Sequence, residues 1–260
     1  MRLILAIDIG NTTISLGVIK EQQVLETYKV LTCASTFELK SSLNQILPRI
    51  KKEFSLMEAV VICSVVPSAL IVVSSAVSKN FSLKPLVIGE DIKVPIKNNY
   101  RNPKQVGQDR LVGAYAVKCL YGFPAIVIDF GTATTFDVVS KEGNYEGGII
   151  VPGLRLSAES LFTKTAMLPR LEKFKAPSSL IGKDTQQSIL SGLFYGYGAM
   201  SCGLINLLSK KIKGKPQVIV TGGYTALMKK FIHRKIHHVD NDLVFKGIAL
   251  LYSLPASSRR

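Results

Sequence analysis

Residues 4–13 read ILAIDIGNTT, and residues 125–134 read AIVIDFGTAT. A shift of 121 residues places the first stretch on the second, and the identical pairs are Ile7 with Ile128, Asp8 with Asp129, Gly10 with Gly131 and Thr13 with Thr134. Each copy is an apolar run typical of a strand buried on both faces, and it ends in an aspartate and a glycine turn. Two copies at a domain-sized spacing indicate one strand-turn-strand unit used twice, because a solenoid needs more repeats.

Around the first copy the chain alternates between strands and helices. Residues 3–8 form the buried strand, and short apolar runs at residues 14–19 and 23–30 continue it as a meander. Residues 36–47 have apolar side chains near helical spacing, and residues 59–65 read as another buried strand. This alternation predicts an α/β fold.

The second copy restarts the same order of elements. Residues 125–129 and 135–139 repeat the strand pair, and residues 147–152 read as a turn-rich connection. A long helix with small residues is predicted over 186–209, and a closing helix over 243–254. We therefore predict two lobes of similar construction.

Composition and cysteine spacing exclude several classes of protein. With 47% hydrophobic and 20% charged residues, the 260-residue chain can bury a sizeable core. Asp8 interrupts the first apolar run and no uninterrupted apolar run reaches the length of a membrane span, so we expect a cytoplasmic protein without membrane contact. The four cysteines form no C-x-x-C pair, which argues against a zinc site, and Cys63, Cys119 and Cys202 are expected to be buried thiols.

The net charge of +15 raises the question of a nucleic-acid partner. The sequence has no helix-turn-helix signature, zinc-finger spacing or RNA-binding aromatic motif, so we do not expect nucleic acid as a partner. A solvated basic surface that attracts anionic small substrates is the favoured interpretation. His233, His237 and His238 lie within this basic region, where a surface segment is a simpler interpretation than a metal site.

The first turn has the chemistry of a phosphate loop. Asp8 ends a buried strand, where a carboxylate is costly unless it is paired or bound to a cation. Gly10 lets the backbone turn tightly, and Asn11, Thr12 and Thr13 add short polar groups. Backbone N–H groups in such turns form a concavity that binds anions. An isolated copy would favour an ordinary hairpin turn, whereas two matched copies facing each other favour a cradle for nucleotide phosphates.

Two further elements accompany the first turn. Asp129-Phe130-Gly131-Thr132 repeats the same chemistry, and its aspartate could hold the cation that neutralises phosphate charge. The strand at residues 217–220 runs into Thr221-Gly222-Gly223, a turn that would let the backbone lie against an adenosine. As a set, the three elements indicate nucleotide binding more specifically than any one of them.

A fourth motif, Gly107-Gln108-Asp109-Arg110, opens the helix predicted over residues 107–120. Arg110 can bind an anionic substrate group in a bidentate manner, and Asp109 can accept the proton of an attacking hydroxyl. The alternative is that Asp109 stabilises the helix N-terminus and Arg110 is a surface charge. The composition of the motif alone does not decide between these interpretations.

The joint pattern resembles type III pantothenate kinase. The motifs that carry the resemblance are residues 8–13, 107–110, 129–134, 146–153 and 181–185, and together they span most of the chain. This family is similar to the acetate and sugar kinases, actin and the heat-shock ATPases. The resemblance implies an α/β fold of two ribonuclease-H-like lobes, with mixed sheets flanked by helices and the active site in the cleft between them.

The resemblance also implies a division of the chain and an activity. Residues 1–116 would form the N-terminal lobe with the first phosphate loop. Residues 117–260 would form the C-terminal lobe with the second phosphate loop and the adenosine element, and the closing helix could pack back on the first lobe. The implied activity is ATP-dependent phosphorylation of pantothenate to 4'-phosphopantothenate, the first step of coenzyme A biosynthesis.

Site residues follow from the resemblance position by position. Residues expected to bind ATP and its phosphates are Asp8, Ile9, Gly10, Asn11, Thr12, Thr13, Ile14, Ser15, Thr132, Gly222 and Gly223. Residues expected to bind pantothenate are Tyr100, Gly107, Gln108, Asp109, Arg110 and Thr185, and Asp109 would be the general base. Asp129 would bind a monovalent cation, K⁺ or NH₄⁺, and Mg²⁺ would accompany the nucleotide. Members of the family are homodimers, and they often have Asn where this chain has Asp184.

Two alternative functions remain compatible with the sequence. One is another small-molecule kinase or a phosphatase of the same superfamily. The other is a non-catalytic transcriptional accessory factor or nucleic-acid-binding protein that keeps the fold. The presence of Asp8, Asp109 and Asp129 favours catalysis over the second alternative.

Overall fold

The structure is a computed structural model that describes residues 3–32 and 35–258, so Cys33 lies outside the described residues. The chain divides into two compact units. The first unit comprises the residues up to Ile96, Arg101–Ala116 and the residues from Asp242 onward. The second unit comprises Lys97–Tyr100 and Val117–Asn241.

Strands and helices alternate along the described chain. The strands are β1 Leu3–Ile9, β2 Thr13–Lys20, β3 Gln23–Leu31, β4 Ala59–Ser64, β5 Leu86–Val87, β6 Ala125–Phe130, β7 Ala133–Val139, β8 Tyr145–Pro152, β9 Gln217–Thr221 and β10 His238–Val239. The α-helices are α1 Thr36–Glu53, α2 Pro67–Phe81, α3 Gln108–Leu120, α4 Leu154–Lys164, α5 Thr185–Lys211, α6 Thr225–Ile232 and α7 Leu243–Ser253. Short 3-10 helices occur at Pro103–Gln105, His233–Lys235 and Ala256–Ser258.

Each unit contains one five-stranded sheet, and the two sheets have the same topology. The order is β3-β2-β1-β4-β5 in the first unit and β8-β7-β6-β9-β10 in the second. In each sheet the first three strands form an antiparallel meander. The fourth strand pairs parallel with the central strand, β1 or β6, and the fifth strand pairs parallel with the fourth. The duplicated unit predicted from the sequence therefore corresponds to a duplicated sheet.

The two copies of the turn differ in length. Asp8 pairs with Ser15, seven residues later, whereas Asp129 pairs with Thr135, six residues later. The second turn is therefore one residue shorter, and the repeat of 121 residues that matches the first strands becomes 120 once the second strands begin. The structural counterpart of Ser15 is Thr135, a correspondence that the sequence shift of 121 does not give.

The central strand of the first unit is buried on both faces, as the continuous apolar run predicts. Leu5, Ile7 and Ile9 pack in one core with residues of α1 and α2. Ile4 and Ala6 point to the opposite face, where they pack in a second core with residues of α3 and α7. The closing helix α7 thus belongs to the first unit, although Val117–Asn241, which precede it, belong to the second.

Helix α1 extends beyond its predicted end at Leu47, to Glu53, and it passes through Pro48. It begins at a capping box, in which the Ser35 hydroxyl accepts the Glu38 N–H and the Glu38 carboxylate accepts the Ser35 N–H. The buried residues Leu39, Leu43, Leu47 and Ile50 keep helical spacing across the proline. Burial of this face offsets the backbone hydrogen bond that Pro48 removes.

Strand β8 corrects the prediction of a turn-rich connection over residues 147–152. It pairs antiparallel with β7, and its residues alternate between buried and exposed at the start of the strand. It lies at one end of the sheet order, and beyond Tyr145, which also bridges to Asn98, only one side of the strand is paired, so glycine and proline cost little there. Gly147, Gly148 and Pro152 therefore misled the sequence-based interpretation.

Among the cysteines expected to be buried, Cys63 is buried, Cys202 is half-buried and Cys119 is exposed on α3. The prediction is therefore wrong for Cys119. Its apolar neighbours in sequence lie on other faces of the helix, so they do not cover it.

Helix α5 is packed on one side only. Its buried residues include Leu193, Phe194 and Ile205, which belong to the core of the second unit with residues of α4 and α6. Among the helices of the described residues, α5 alone is long and apolar enough to cross a membrane by length and composition, and 33% of that segment is buried. The uncovered side carries Gly192 and Gly196, where an added Cβ would meet no atom within 4 Å.

The contact between α7 and α3 predicts an unequal response to two glycine substitutions. A Cβ at Gly247 of α7 would lie 2.6 Å from Val112 Cγ1 and 2.8 Å from the Val112 carbonyl oxygen. We expect Gly247→Ala to lower the free energy of unfolding by about 1–3 kcal/mol, because the two helices must move apart. Chemical denaturation of the purified protein measures this change.

Gly113→Ala on α3 is the matched control. A Cβ at Gly113 would meet only Leu243 Cδ2, at 4.0 Å, which is an ordinary packing distance. We expect this substitution to raise the free energy of unfolding by up to about 1 kcal/mol, because alanine favours a helix interior. Equal destabilisation by the two substitutions would contradict the close approach at Gly247.

Candidate active site

The first Asp-x-Gly turn joins β1 to β2. Asp8 lies opposite Ser15 of β2 and Cys63 of β4, at the carboxyl end of the central strand. The Gly10 N–H donates to the Thr13 carbonyl oxygen at 3.1 Å, and a Cβ at Gly10 would lie 3.3 Å from that oxygen. The missing side chain therefore lets the turn close directly after the aspartate.

The residue that follows β3 braces this turn. Thr32 donates its hydroxyl to the Gly10 carbonyl oxygen at 2.7 Å and its N–H to the Thr12 carbonyl oxygen at 3.0 Å. The side chains of Ile9 and Ile14 are fully buried in the core, so only their backbone groups could contact a ligand. The predicted loop residues that remain at least partly open to solvent are Asp8, Gly10, Asn11, Thr12, Thr13 and Ser15.

Asp109 lies in the first turn of α3, within the first unit. Its Oδ1 accepts the Arg110 N–H at 2.8 Å, so the carboxylate folds back over the N-terminus of its own helix. A Cβ at Gly107 would lie 2.5 Å from this oxygen and 3.4 Å from Val65 Cγ1. Glycine at position 107 is therefore needed to make room for the carboxylate beside the end of β4.

Burial raises the pKa of the Asp109 carboxyl above its ordinary value, and the Arg110 N–H and guanidinium oppose this effect in part. Burial also raises the pKa of the Cys63 thiol, and the carboxylates of Asp8 and Asp109 raise it further. The thiol is therefore neutral at physiological pH. Because the carboxylates of both Asp8 and Asp109 act on this thiol, they lie in the same part of the first unit, near the carboxyl end of β4.

Gln108 and Arg110 flank the candidate base. A Cβ at Gly89, where φ is +93°, would lie 2.9 Å from the Gln108 side-chain carbon Cδ, so the turn after β5 packs against this amide. The Arg110 Nη2 atom is buried. Arg110 is thus not the surface charge of the alternative interpretation, although Asp109 does contact the helix N-terminus as that interpretation expects.

The second Asp-x-Gly turn joins β6 to β7. Asp129 lies opposite Thr135 of β7 and Thr221 of β9. The Gly131 N–H donates to the Ala133 carbonyl oxygen at 3.1 Å, two residues later rather than three as at Gly10. This shorter hydrogen-bonded turn accounts for the missing residue in the second copy.

Backbone without side chains encloses the Asp129 carboxylate. A Cβ at Gly131 would lie 3.2 Å from Asp129 Oδ1, and one at Gly222, where φ is +97°, would collide with the same oxygen. The Gly153 N–H donates to the Thr132 carbonyl oxygen at 2.9 Å, and a Cβ at Gly153 would collide with that oxygen. Three glycines distant in sequence therefore allow close approach around one turn.

The Gly-Gly turn after β9 is tied to the second Asp-x-Gly turn. The Tyr224 N–H donates to the Phe130 carbonyl oxygen at 3.0 Å. Gly223 is exposed, with no atom within 4 Å of a Cβ built there, and Thr132 is exposed as well. The two elements predicted separately are thus parts of one surface in the second unit.

Tyr100 is held within the second unit. Its ring packs on Gly147 of β8, where φ is +111° and an added Cβ would lie 3.2 Å from Tyr100 Cδ2. Its N–H donates to the Asn98 side-chain oxygen at 3.0 Å. Tyr100 therefore accompanies the motif at residues 146–153, whereas residues 107–110 belong to the first unit.

Thr185 begins α5 and is exposed. The preceding residue, Asp184, caps the helix by accepting the Gln187 N–H at 2.8 Å and the Gln187 side-chain amide at 2.5 Å. These hydrogen bonds give Asp184 a local structural role that asparagine, the residue often found in the family, could fill only in part. They orient Asp184 toward its own helix.

The surroundings of Asp129 fit a monovalent cation better than a transition metal. Among the described residues, no group of three or more His, Cys, Asp and Glu side chains could hold a metal ion. The Asp129 Oδ1 atom is buried, and the residues paired with Asp129 are threonines. One carboxylate supplies a single negative charge, and oxygen donors such as this carboxylate and the threonine hydroxyls suit a hard cation.

Sequence reasoning missed several residues of this region. Gly153 was noted only as part of a motif, and Thr135 and Asp137 were treated as ordinary strand residues. The available signal was the spacing of Thr135 and Asp137, because two polar residues at positions i and i+2 of an apolar strand share one face. The close approach of Gly153 depends on tertiary structure and has no local signal.

Comparison with solved structures shows the fold class. A Baf-family protein from Campylobacter jejuni, proposed to be a transcriptional activator, has a TM-score of 0.56 at 20% identity, over 95% of this chain and 96% of that one. A ROK-family glucokinase from Streptomyces griseus, solved with glucose and AMPPNP, has a TM-score of 0.54 at 14% identity, over 96% and 98% of the two chains. The activator of 2-hydroxyisocaproyl-CoA dehydratase from Clostridium difficile, solved with ADPNP, has a TM-score of 0.52 at 13% identity, over 96% and 94%. These similarities confirm the predicted two-lobed α/β fold of the sugar kinases and actin-like ATPases.

The family assignment comes from sequence. The model of the family described as type III pantothenate kinase matches residues 4–207, which include both Asp-x-Gly turns and the motif at residues 107–110. Kinase family and kinase fold together identify an ATP-using phosphotransferase. The chain belongs to the type III pantothenate kinase family.

Proposed function

We propose that this chain phosphorylates pantothenate with ATP to give 4'-phosphopantothenate and ADP, the first step of coenzyme A biosynthesis. The observation that carries the proposal is the start of α3, where the largely desolvated Asp109 carboxyl is followed directly by Arg110, whose Nη2 atom is buried. Pantothenate has a primary hydroxyl and a carboxylate, and this pair of side chains offers a base for the first and a cation for the second.

Asp109 is the proposed general base. As the substrate hydroxyl oxygen attacks the γ-phosphorus, its proton passes to the Asp109 carboxylate, and the bond from the γ-phosphorus to the bridging oxygen of ADP breaks. A raised pKa suits this role, because a more basic carboxylate accepts a proton more readily. The Arg110 N–H that Asp109 accepts fixes the carboxylate against the helix while the second oxygen remains for the substrate.

The two Asp-x-Gly turns are the proposed phosphate loops. The backbone N–H groups of residues 10–15 and of the turn at Gly131 and Thr132 would bind phosphate oxygens, and exposed Gly223 leaves room for the adenosine. Positioning and electrostatic stabilisation supply most of the catalysis in phosphoryl transfer. Mg²⁺ bound with the nucleotide would neutralise charge on its phosphate oxygens, and K⁺ or NH₄⁺ at Asp129 would add positive charge beside the second turn.

We further infer that the protein is a homodimer formed through the uncovered side of α5. Gly196 leaves open space on this side, and Ile181 and Leu207 are 67% and 61% exposed. Small residues permit close approach of another backbone, and exposed apolar residues mark protein interfaces. A second copy of the same helix is complementary to this surface, as in the two-fold interfaces of most homodimers.

The substrate is tested by a coupled ADP-release assay with pantothenate and a panel of other hydroxyl compounds that includes sugars. We expect turnover with pantothenate and at most background rates with the others. Turnover confined to a sugar or an acyl substrate would overturn the proposed specificity while leaving the kinase assignment in place. DNA binding at physiological ionic strength without any turnover would favour a regulatory protein instead.

Asp109→Asn tests the base. We expect kcat for pantothenate to fall by about 100- to 10,000-fold, because the amide cannot accept the proton. We expect the melting temperature to stay the same or rise, because the amide removes a charge from a buried position. Steady-state kinetics and thermal unfolding are measured on the same preparation, and near-normal turnover would refute the assignment.

The pH dependence of kcat/KM gives an independent test. Burial raises the pKa of Asp109, and only the ionised carboxylate is a base, so activity should fall as pH decreases through a pKa above the ordinary aspartate value of about 4. The sign for stability is opposite: the stability that this group adds is fully present at low pH and is lost as pH rises through the raised pKa. A fall in kcat/KM at the ordinary aspartate pKa would contradict the assignment. The same fall in Asp109→Asn would also contradict it.

Gly196→Arg tests the proposed dimer. Arginine on the uncovered side of α5 would place a charge in the interface, and we expect the molar mass measured by light scattering after size-exclusion chromatography to fall from dimer to monomer. Ser41→Arg is the matched control, since Ser41 is an exposed helical residue of α1. A monomeric wild-type chain, or a dimer unaffected by Gly196→Arg, would rule out this interface.

A further inference from the structure

A buried hydrogen-bonded chain lies beside Asp129 in the second unit. Asp137 of β7 is 3% exposed, and its Oδ1 accepts the hydroxyl of Tyr145, which is fully buried. The Tyr145 hydroxyl is 2.8 Å from this oxygen, and the Thr135 hydroxyl donates to the other carboxylate oxygen, Oδ2, at 3.2 Å. A carboxylate in such a position is costly unless these donors hold it, so its presence calls for an explanation.

The register of the sheet places this chain on the same face as Asp129. Thr135 is the residue of β7 directly opposite Asp129, and directly opposite residues in an antiparallel pair point to one face. Asp137 is two residues further along β7 and shares that face. Thr135 therefore stands between two carboxylates, one of which it contacts through its hydroxyl proton.

The first copy of the repeat shows that the fold does not need this carboxylate. Ser15 lies opposite Asp8 as Thr135 lies opposite Asp129, so the counterpart of Asp137 is Gly17. A Cβ at Gly17 would lie 3.1 Å from the Phe245 ring, which covers the position with apolar surface. The same strand position is thus a covered glycine in one unit and a hydrogen-bonded carboxylate in the other.

The direction of the Thr135 hydroxyl is the consequence of this difference. A threonine hydroxyl has one proton to donate and two lone pairs. The Thr135 hydroxyl donates its proton in the hydrogen bond to Asp137, so it does not donate to Asp129. The lone pairs of Thr135 Oγ1 can then face a cation. A hydroxyl held in this way acts as an acceptor, which is the property that a cation ligand requires.

We propose that Asp137 is a positioning residue that makes Thr135 Oγ1 a second oxygen ligand for the monovalent cation at Asp129. Tyr145 holds Asp137 in place, and Asp137 orients the Thr135 hydroxyl so that the Oγ1 lone pairs are available to a cation beside Asp129. This inference rests on the proposed cation role of Asp129. The roles it gives to Thr135, as a cation ligand, and to Asp137, as a positioning residue, are argued from their hydrogen bonds.

Thallium NMR tests the proposal, with Tl⁺ as the probe in place of K⁺, on the full-length protein with and without AMPPNP. Thr135→Val removes the hydroxyl and keeps the shape of the side chain, and we expect it to weaken Tl⁺ binding by about 10–100-fold. Thr135→Ser keeps the hydroxyl and should bind Tl⁺ within a few-fold of wild type. Asp137→Ala should weaken Tl⁺ binding to a similar extent, and adding it to Thr135→Val should cause little further loss.

Three results would separate the possible failures. Unchanged Tl⁺ affinity in Thr135→Val, with binding lost in Asp129→Asn, would overturn the role of Thr135 and Asp137 but keep the cation site. Losses in Asp137→Ala and Thr135→Val that simply add would show a structural role for Asp137. Tl⁺ binding that is absent, or insensitive to Asp129→Asn, would overturn the cation site itself. If Asp137→Ala does not fold, the comparison of Thr135→Val with Thr135→Ser still decides whether the hydroxyl is a ligand.

Discussion

A carboxylate at the carboxyl end of a buried central strand is the constraint on which each unit depends. Asp8 and Asp129 follow runs of apolar residues packed on both sides, where an ionised group loses its hydration. Each aspartate has polar residues opposite it and a glycine two positions later, so the chain can reverse at once and leave backbone amides near the charge. The meander that follows each aspartate is thus a consequence of this reversal, and it sets the order of the strands in both sheets.

Duplication of this arrangement did not preserve its details. The second turn has lost one residue, and three glycines of the second unit allow other groups to approach the backbone closely around it. Ser15 and Thr135 face the two aspartates, and the residues two positions after them differ. The first unit has Gly17 there, under the Phe245 ring, and the second has Asp137. The apolar version belongs to the face on which α3 and α7 pack. The polar version keeps charge and hydroxyl groups near Asp129, which is consistent with a cation role for one aspartate and a phosphate-loop role for the other.

A structural feature could be predicted from the sequence when the residues that cause it are adjacent in the chain. Both Asp-x-Gly turns and their strands were predictable because apolar runs, aspartate and glycine are adjacent in the chain. Strand β8 was not, because Gly147 and Gly148 lower strand propensity and only pairing with β7 overrides them. The length of α1 was underestimated for the same reason, since tertiary burial of Ile50 outweighs Pro48. The motif at residues 107–110 was found, but the need for glycine at 107 follows only from the position of the Asp109 carboxylate.

The environment of Asp109 reconciles two requirements that oppose each other. A base must be ionised before the substrate hydroxyl reaches it, which favours contact with positive groups, yet strong stabilisation of the charge would make it a poor base. The Arg110 N–H and guanidinium lower the pKa of Asp109, whereas burial raises it by more. The net effect is a carboxylate that is more basic than an exposed aspartate. Because Arg110 is adjacent in sequence and Gly107 makes room for the carboxylate, four consecutive residues are enough to set both the position and the basicity of the proposed base.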